Sequence, residues 1–286
     1  MKLLGLSDIH GNHMAIHKLI RNEVGRQADV IVIAGDTSRE TFGVFLRRIL
    51  CKIGIRSLED IDTFKANNQH LRNSQLENAK NVIRAALIAE KPLLVLIGNE
   101  DPQVVADYLK ATEKEDTNLV LLHNKKTTIA GYTFIGFGGM SLKFSMKHET
   151  LDAYPHVFSE KDIYQGLSGL LEYEEPRKTI IVTHDSPYGV RITNIPELMG
   201  SRSLRQIIEE FQPLLCICGH LHEQRVDWIG KTMVVNPGSL AYFNYALLEV
   251  NGEVKVKLQT IPHFFINVNY QFLVPRLYHR ILKIPN

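Results

Sequence analysis

Short apolar runs at 3–6, 30–34, 93–97, 179–183 and 214–218 alternate with longer helical patterns along much of this chain. That alternation predicts strands joined by crossover helices, the signature of an α/β protein. The stretch from Met14 to Gly25, for instance, reads as one helix with Ile16, Leu19, Ile20 and Val24 on its inner face. In open α/β sheets, ligands bind beyond the carboxyl ends of the strands. The residues that end the runs are therefore the first to consider. They are Asp8-Ile9-His10-Gly11-Asn12, Gly35-Asp36, Gly98-Asn99-Glu100-Asp101, Thr183-His184 and Gly219-His220-Leu221-His222.

The remaining bounds are permissive. A chain of 286 residues with 44% hydrophobic content suits one large domain better than two small ones. A formal charge of +2 argues against a strongly basic nucleic-acid surface. Cys51, Cys216 and Cys218 are too few and too poorly spaced for a disulfide framework or a cysteine-based zinc site, so a reducing compartment is expected. The apolar start at Met1–Leu6 is broken at once by Ser7-Asp8, unlike a secretory signal. No run approaches the roughly 20 apolar residues a membrane-spanning helix needs. The expected location is cytoplasmic, with no membrane contact.

The domain is expected to span 1–261. It carries a helical insertion at about 38–92 that includes helices at Phe42–Leu50 and Leu76–Ala89. Extra packing helices are the plainer reading of that insertion, and a cover for the site or a partner contact is the other. Short strands at 119–122, 127–129 and 133–137 open a second sheet, with Ala130-Gly131 as a hairpin signal. A long loop follows to Ser159 and contains His148 and His156. Helices at 160–173 and 203–211 and closing strands at 225–229, 233–235, 245–250 and 254–259 complete two sheets with flanking helices. The extension 262–286 is apolar and basic without an acid, and is expected to pack on the domain or to make a homo-oligomer contact.

Asp8 and His10, one residue apart, would project from the same side of an extended segment and could share an ion. His220 and His222 repeat that spacing. Each pair alone is weak, since Asp8 could be a helix cap and the histidines a polar edge strand. The joint pattern is stronger, because carboxylates and imidazoles gathered at one sheet edge are costly without a metal or mutual pairing. Mixed oxygen and nitrogen ligands suit Mn, Fe or Zn. Asn12 reads equally as a phosphate contact or as a helix cap. Arg39 and Arg191 are candidate phosphate clamps, with surface ion pairs as the alternative. Asp101 reads as a support for the turn or a cap for the helix that begins at Pro102.

The order of these motifs resembles the calcineurin-like metallophosphoesterase superfamily, in particular its small prokaryotic phosphodiesterases and phosphatases. The similarity runs from Lys2 to about Gln259 and includes Asn236-Pro237-Gly238-Ser239. It implies a four-layer α/β/β/α sandwich of two mixed sheets and a pair of divalent ions, manganese among the candidates. By the same resemblance Asp8, His10, Asp36 and His222 would bind the first ion, Asp36 would bridge, and Asn99, His184 and His220 would complete the second site. Two ions about 3.5–4 Å apart can share a carboxylate and a hydroxide and clamp a phosphoryl group during in-line attack. The implied function is a dinuclear metal-dependent phosphohydrolase, a phosphodiesterase foremost, acting on a small phosphoester through a metal-bridging hydroxide.

Asp36, Asn99, Glu100 and His184 occupy the positions that the resemblance makes catalytic. Glu100 is the departure, since many relatives have histidine there to protonate the leaving oxygen. A glutamate serves as that acid only if burial or nearby carboxylates raise its pKa, and two cations push the other way. Good leaving groups would then be favoured, or His148 or His156 would substitute. A binding or scaffold protein of the same fold, and a nuclease, are the rival readings; nucleic acid is possible as a partner but not favoured.

Overall fold

The computed structural model describes residues 1–38, 68–142, 155–190 and 200–262. The predicted helix at 42–50, Arg39, His148, Arg191 and the extension from 263 onward lie outside the described residues. Each apolar run forms a strand that is buried along its length. In one sheet β1 (Lys2–Leu6), β2 (Val30–Ile33), β3 (Leu93–Val95) and β4 (Leu119–Leu121) pair in parallel. Two antiparallel strands, β13 (Asn244–Asn251) and β14 (Glu253–Thr260), extend it on the β1 side. The second sheet runs in the order β11 (Gln224–Ile229), β12 (Thr232–Pro237), β10 (Leu215–Ile217), β9 (Thr179–Thr183), β6 (Tyr132–Phe137) and β5 (Lys125–Ile129). Its four central strands are parallel and its two edge strands antiparallel.

Side-chain parity distributes the strands among three cores. Leu3, Val30, Val32 and Leu94 face one way and meet Phe134, Ile180, Val182, Leu215 and Ile217 from the other sheet. Their neighbours Leu4, Ile31, Ile33, Leu93 and Val95 face outward under helices. Those helices are α1 (His13–Arg21), α2 (Glu23–Gln27), α3 (Gln69–Leu87) and α4 (Gln103–Glu115). On the far side, Ile135, Ile181, Cys216 and Val234 lie under α5 (Glu160–Leu171) and α6 (Arg202–Phe211). The result is the expected four-layer sandwich of two mixed sheets between helices, and its tight inner layer leaves the parallel strands buried on both faces.

Local sequence explains the helix boundaries and corrects several of them. The helix expected over 14–25 breaks at Asn22, whose ψ of 170° is extended. The chain turns back there so closely that a Cβ on Gly25 would collide with the Ile20 backbone. In α3 the stripe Leu71, Gln75, Ala79, Val82, Ile83 and Ala86 is buried at helical spacing, and the Asn68 side chain caps its start by accepting from Leu71 N at 2.9 Å. This part of the proposed insertion is thus a packing helix. Pro102 stands at the cap of α4 rather than inside its first turn. A capping box between Ser159 and Asp162 opens α5. Both ends of the predicted long loop join in a two-stranded ribbon, β7 (Met140–Ser141) and β8 (Val157–Phe158), too short to register as periodicity. No helix among the described residues is long and apolar enough to cross a membrane.

Phe134 is fully buried between the two sheets. Phe134→Ala should cost about 3–5 kcal/mol of unfolding free energy in a denaturant titration, the range for truncating a buried aromatic ring.

Candidate metal centre

The carboxyl ends of β1, β2 and β3 in one sheet and of β9 and β10 in the other point to the same seam. The chain leaves β1 through Ser7 into Asp8 and leaves β2 through Gly35 into Asp36, and Asp8 N donates to Gly35 O at 3.2 Å. Across the seam, His220 N donates to Asp8 Oδ2 at 3.0 Å, and within the second sheet Gly219 N donates to His184 O at 3.0 Å. His184 Nδ1 is 2.8 Å from Ala34 O, back on the first sheet. Backbone polar groups thus stitch the two sheets together where the candidate ligands emerge.

The backbone at these ligands is not extended. Asp8, His10, Asp36, His220 and His222 have φ of 49°, 46°, 52°, 67° and 57°, all left-handed. The expectation that Asp8 and His10 share one side of an extended segment is therefore replaced by paired left-handed turns that swing both side chains inward. Such a conformation costs roughly 1–2 kcal/mol for a residue with a Cβ. Two glycines clear the way for the carboxylates. A Cβ on Gly98 would strike Asp36 Oδ1, and one on Gly219 would strike the Ser7 hydroxyl beside Asp8.

Asp8, His10, Asp36 and His222 each offer one ligand atom, and these four atoms lie within 4.8 Å of one another. His222 Nε2 is 3.2 Å from Asp8 Oδ1 and 3.1 Å from His10 Nε2. Asp36 Oδ2 stands between this group and a second one, at 3.9 Å from His10 Nε2 and 3.5 Å from His184 Nε2. His184 Nε2 is also 2.8 Å from Asn99 Oδ1, and its ring lies edge-on to His220 with centroids 5.3 Å apart. Seven side chains therefore form two adjoining clusters that share Asp36. Asp8, Asp36, Asn99 and His184 are buried, whereas His10, His220 and His222 are partly open to solvent, so the cluster is approached from the histidine side.

Electrostatics describe a place built for positive charge. Burial alone would raise the carboxyl pKa values of Asp8 and Asp36, but the surrounding imidazoles pull both below the ordinary carboxylate range. Burial opposes a charge on His184 in turn, yet the carboxylates of Asp36 and Asp8 and the Ala34 carbonyl outweigh it and push its pKa up to about 10. His222 is raised in the same way by Asp8 and Asp36, again against burial. Burial prevails at His220, whose pKa is lowered. Asp8 Oδ1 is buried, with His222 Nε2 at 3.2 Å as its partner across the cluster. Buried carboxylate oxygens facing imidazole nitrogens, in a mixed oxygen and nitrogen donor set, fit a borderline divalent cation.

The residues around this centre hold it in shape. Asp101 accepts from Gly98 N at 2.9 Å, Ser38 N at 2.8 Å, and Thr37 N and Oγ1 at 3.3 and 3.0 Å. It ties the Asp36 loop to the Asn99 loop and does not cap α4, so of its two predicted roles the turn support is realised. Burial and the neighbouring Asp36 raise its pKa. Asp185 plays a similar part and was not singled out in the sequence; it accepts from Ser141 N at 3.0 Å, Ser141 Oγ at 2.6 Å and Ser186 N at 2.9 Å. Ser239 Oγ donates to Asp8 O at 2.7 Å, from within the Asn236–Ser239 segment. The only signal for Asp101 and Asp185 was an aspartate one or two residues past a candidate ligand.

Other predicted site residues fall differently. Asn12 is buried, its Oδ1 accepting from Ala15 N at 3.2 Å and its Nδ2 donating to Leu240 O at 3.3 Å. Both ends of its amide are engaged within the protein, so the helix cap is the role it fills and a phosphate contact is not supported. Glu100 lies at the edge of the cluster. Its N donates to Asp36 Oδ1 at 2.9 Å, its Oε1 is 3.4 Å from Asn99 Nδ2, and its carbonyl accepts from Gln75 Nε2 on α3 at 3.1 Å. His156 is buried just before β8.

Known proteins share this fold. A family model described as metallophosphoesterase, calcineurin superfamily, matches residues 1–261. The uncharacterized protein MJ1162 of Methanocaldococcus jannaschii is 28% identical over 253 residues, covering 86% of this chain and 91% of that protein. The solved structure of TT1561 from Thermus thermophilus superimposes with a TM-score of 0.66 at 19% identity, over 91% of this chain and 99% of that one. GAP50, described as the anchor in the inner membrane complex of Plasmodium, gives a TM-score of 0.50 at 12% identity, over 91% of this chain and 84% of that one. These two likenesses speak to the fold, and the family model speaks to ancestry. With the model spanning every strand that supplies a candidate ligand, the chain belongs to the calcineurin superfamily of metallophosphoesterases.

Proposed function

We propose that this metal-dependent phosphoesterase acts on phosphodiesters, with Asp8, His10, Asp36 and His222 holding one divalent ion and Asp36, Asn99, His184 and His220 a second. Manganese, iron and zinc all suit the donor set. When bound, such a pair supplies Lewis acidity for the phosphoryl oxygens and acidifies a water nucleophile. The protein's own groups do the rest. Asp36 faces both clusters, with one carboxylate oxygen held by Glu100 N and the other toward the imidazoles of His10 and His184. The bond from His184 Nδ1 toward Ala34 O fixes the ring so that Nε2 faces the centre, and the 3.3 Å approach of His10 Nδ1 to Ser38 O does the same for His10.

The observation that favours diesters is Glu100. Its carboxylate stands against Asn99, beside two buried aspartates. A phosphomonoester carries about two negative charges near neutral pH, as the second phosphate pKa near 6 implies, whereas a diester carries one. An added carboxylate at the edge of the cluster repels the monoester more. The same ionised carboxylate has no proton to give the leaving oxygen, so aryl and other good leaving groups are preferred. A scaffold role is the second reading, since a Plasmodium protein of similar fold is described as an anchor. The complete set of seven candidate ligands favours turnover. A nuclease would need a basic track that the +2 formal charge does not advertise.

Asp36→Asn or His220→Ala should lower metal-dependent hydrolysis of an aryl phosphodiester by at least about 100-fold, with the circular dichroism spectrum retained. Undiminished turnover in either variant would refute the assignment. Glu100→Gln should raise kcat/KM for an aryl phosphomonoester relative to the aryl diester, and an unchanged ratio would remove Glu100 as the selective element. His184 gives a test by pH. Its pKa in the folded, metal-free protein is about 10 against an ordinary 6.5, so its stabilising proton is fully present below pH 6.5 and is lost as pH rises toward 10. The metal-free melting temperature should fall across that window. Binding of Mn near pH 8 should release a proton, seen by calorimetry in buffers of different ionisation enthalpy; equal heats in all buffers would contradict it.

A further inference from the structure

Strand β12 belongs to the second sheet and β13 to the first, and the chain that crosses between them touches ligand loops of both. On the first sheet, Ser239 Oγ and Ala241 N donate to Asp8 O at 2.7 and 3.2 Å, and Leu240 N donates to Ser7 O at 2.9 Å. On the second, Asn236 Nδ2 donates to Gly219 O at 2.9 Å, immediately before His220. Asn236 is buried, and its Oδ1 accepts from Gly238 N at 2.9 Å. That second bond fixes which way the amide points, so Nδ2 faces the Gly219 carbonyl.

The carbonyl that Asn236 holds is half of the peptide group joining Gly219 to His220. Ser186 Oγ donates to the same oxygen at 3.0 Å, and Leu221 N at 2.8 Å. The other half, the N–H of His220, donates to Asp8 Oδ2 at 3.0 Å. A peptide group is planar and stiff, so a grip on its oxygen also aims its N–H. The aim of that N–H engages Asp8 Oδ2 and leaves Oδ1 toward His222 Nε2, 3.2 Å away. His220 leaves the same plane in left-handed backbone, at a φ of 67°, which surrounding contacts must hold. One peptide group therefore orients two candidate ligands, Asp8 and His220, that stand on different sheets. Resting on the metal-centre reading above, we propose that Asn236 is a positioning residue for metal binding, acting through the Gly219–His220 peptide on His220 and Asp8. Ser186 shares that grip from the loop after β9.

The rival role is support of the turn after β12, which would lower the melting temperature and leave metal affinity alone. Asn236→Ser separates the two, because a serine hydroxyl still accepts from the N–H two residues on but is too short to reach Gly219 O. Asn236→Ser, Asn236→Ala, Ser186→Ala and the double variant Asn236→Ser with Ser186→Ala should be compared with the wild type as full-length, metal-free proteins. Calorimetry gives Mn affinity, and melting temperature is read alongside. Both Asn236 variants should bind Mn more weakly by about tenfold or more, the loss typical of removing a group that orients a metal ligand. The double variant should lose more than the product of its two single losses, since both side chains hold one oxygen and the Leu221 N–H alone then remains. Mn affinity within twofold of wild type in both Asn236 variants overturns the proposal, whatever the melting temperature does. Losses that simply multiply in the double variant overturn it as well, because the effect would not pass through the shared carbonyl. A wild type that binds no Mn, Fe or Zn refutes the metal centre and the proposal with it. A wild type that binds metal through this grip yet hydrolyses no ester counts against the phosphodiesterase assignment alone.

Discussion

The mutual proximity of two buried carboxylates, Asp8 and Asp36, is the condition around which the rest of the molecule is arranged. Each raises the cost of charge on the other, and burial raises it further. Neither could stay ionised without the imidazoles of His10, His184 and His222 around them. Those imidazoles come from both sheets, so the two sheets must end at the same level and face each other. The dry layer led by Phe134, Ile180 and Val32 sets that alignment, and the parallel strands deliver the ligands to it.

Conformational cost is concentrated in the same place. Five of the seven candidate ligands sit in left-handed backbone, where a Cβ is unfavourable. Polar side chains that are not themselves candidate ligands hold them there. Asp101 grips the loops after β2 and β3, Asp185 fastens the His184 turn to Ser141, and Ser239 holds the Asp8 carbonyl. The stiffness of the centre is thus provided from just outside it, by short side chains with several backbone partners each.

Much of the fold was legible because its central strands are apolar on both faces, and runs such as Val30–Ile33 leave little else for the chain to do. The candidate ligands were legible because they follow those runs directly and combine residue types that are expensive to cluster. What the linear pattern hid was geometry that depends on tertiary contact. The break at Asn22 is set by the contact between Gly25 and the Ile20 backbone, which no helical periodicity encodes. Left-handed turns at Asp8 and His10 bring together side chains that an extended segment would also have paired, so the right neighbours were reached for the wrong local reason. Asn12 shows the converse, since a cap and a phosphate contact use the same amide and only the position of Leu240 decides between them. The β7–β8 ribbon was too short to carry a periodic signal.

Ownership of the seven side chains is divided. Asp8, His10, Asp36 and Asn99 belong to one sheet, and His184, His220 and His222 to the other. Ions held among them would act as rivets through one end of a two-leaved structure, added to the apolar layer and the few hydrogen bonds that join the leaves. Stripping the ions would free the leaves to slide at that end first, while the opposite end kept its grip. Metal supply would then govern not just catalysis but how long the molecule survives between rare openings, and a cell short of the right cation would lose the protein as well as its activity.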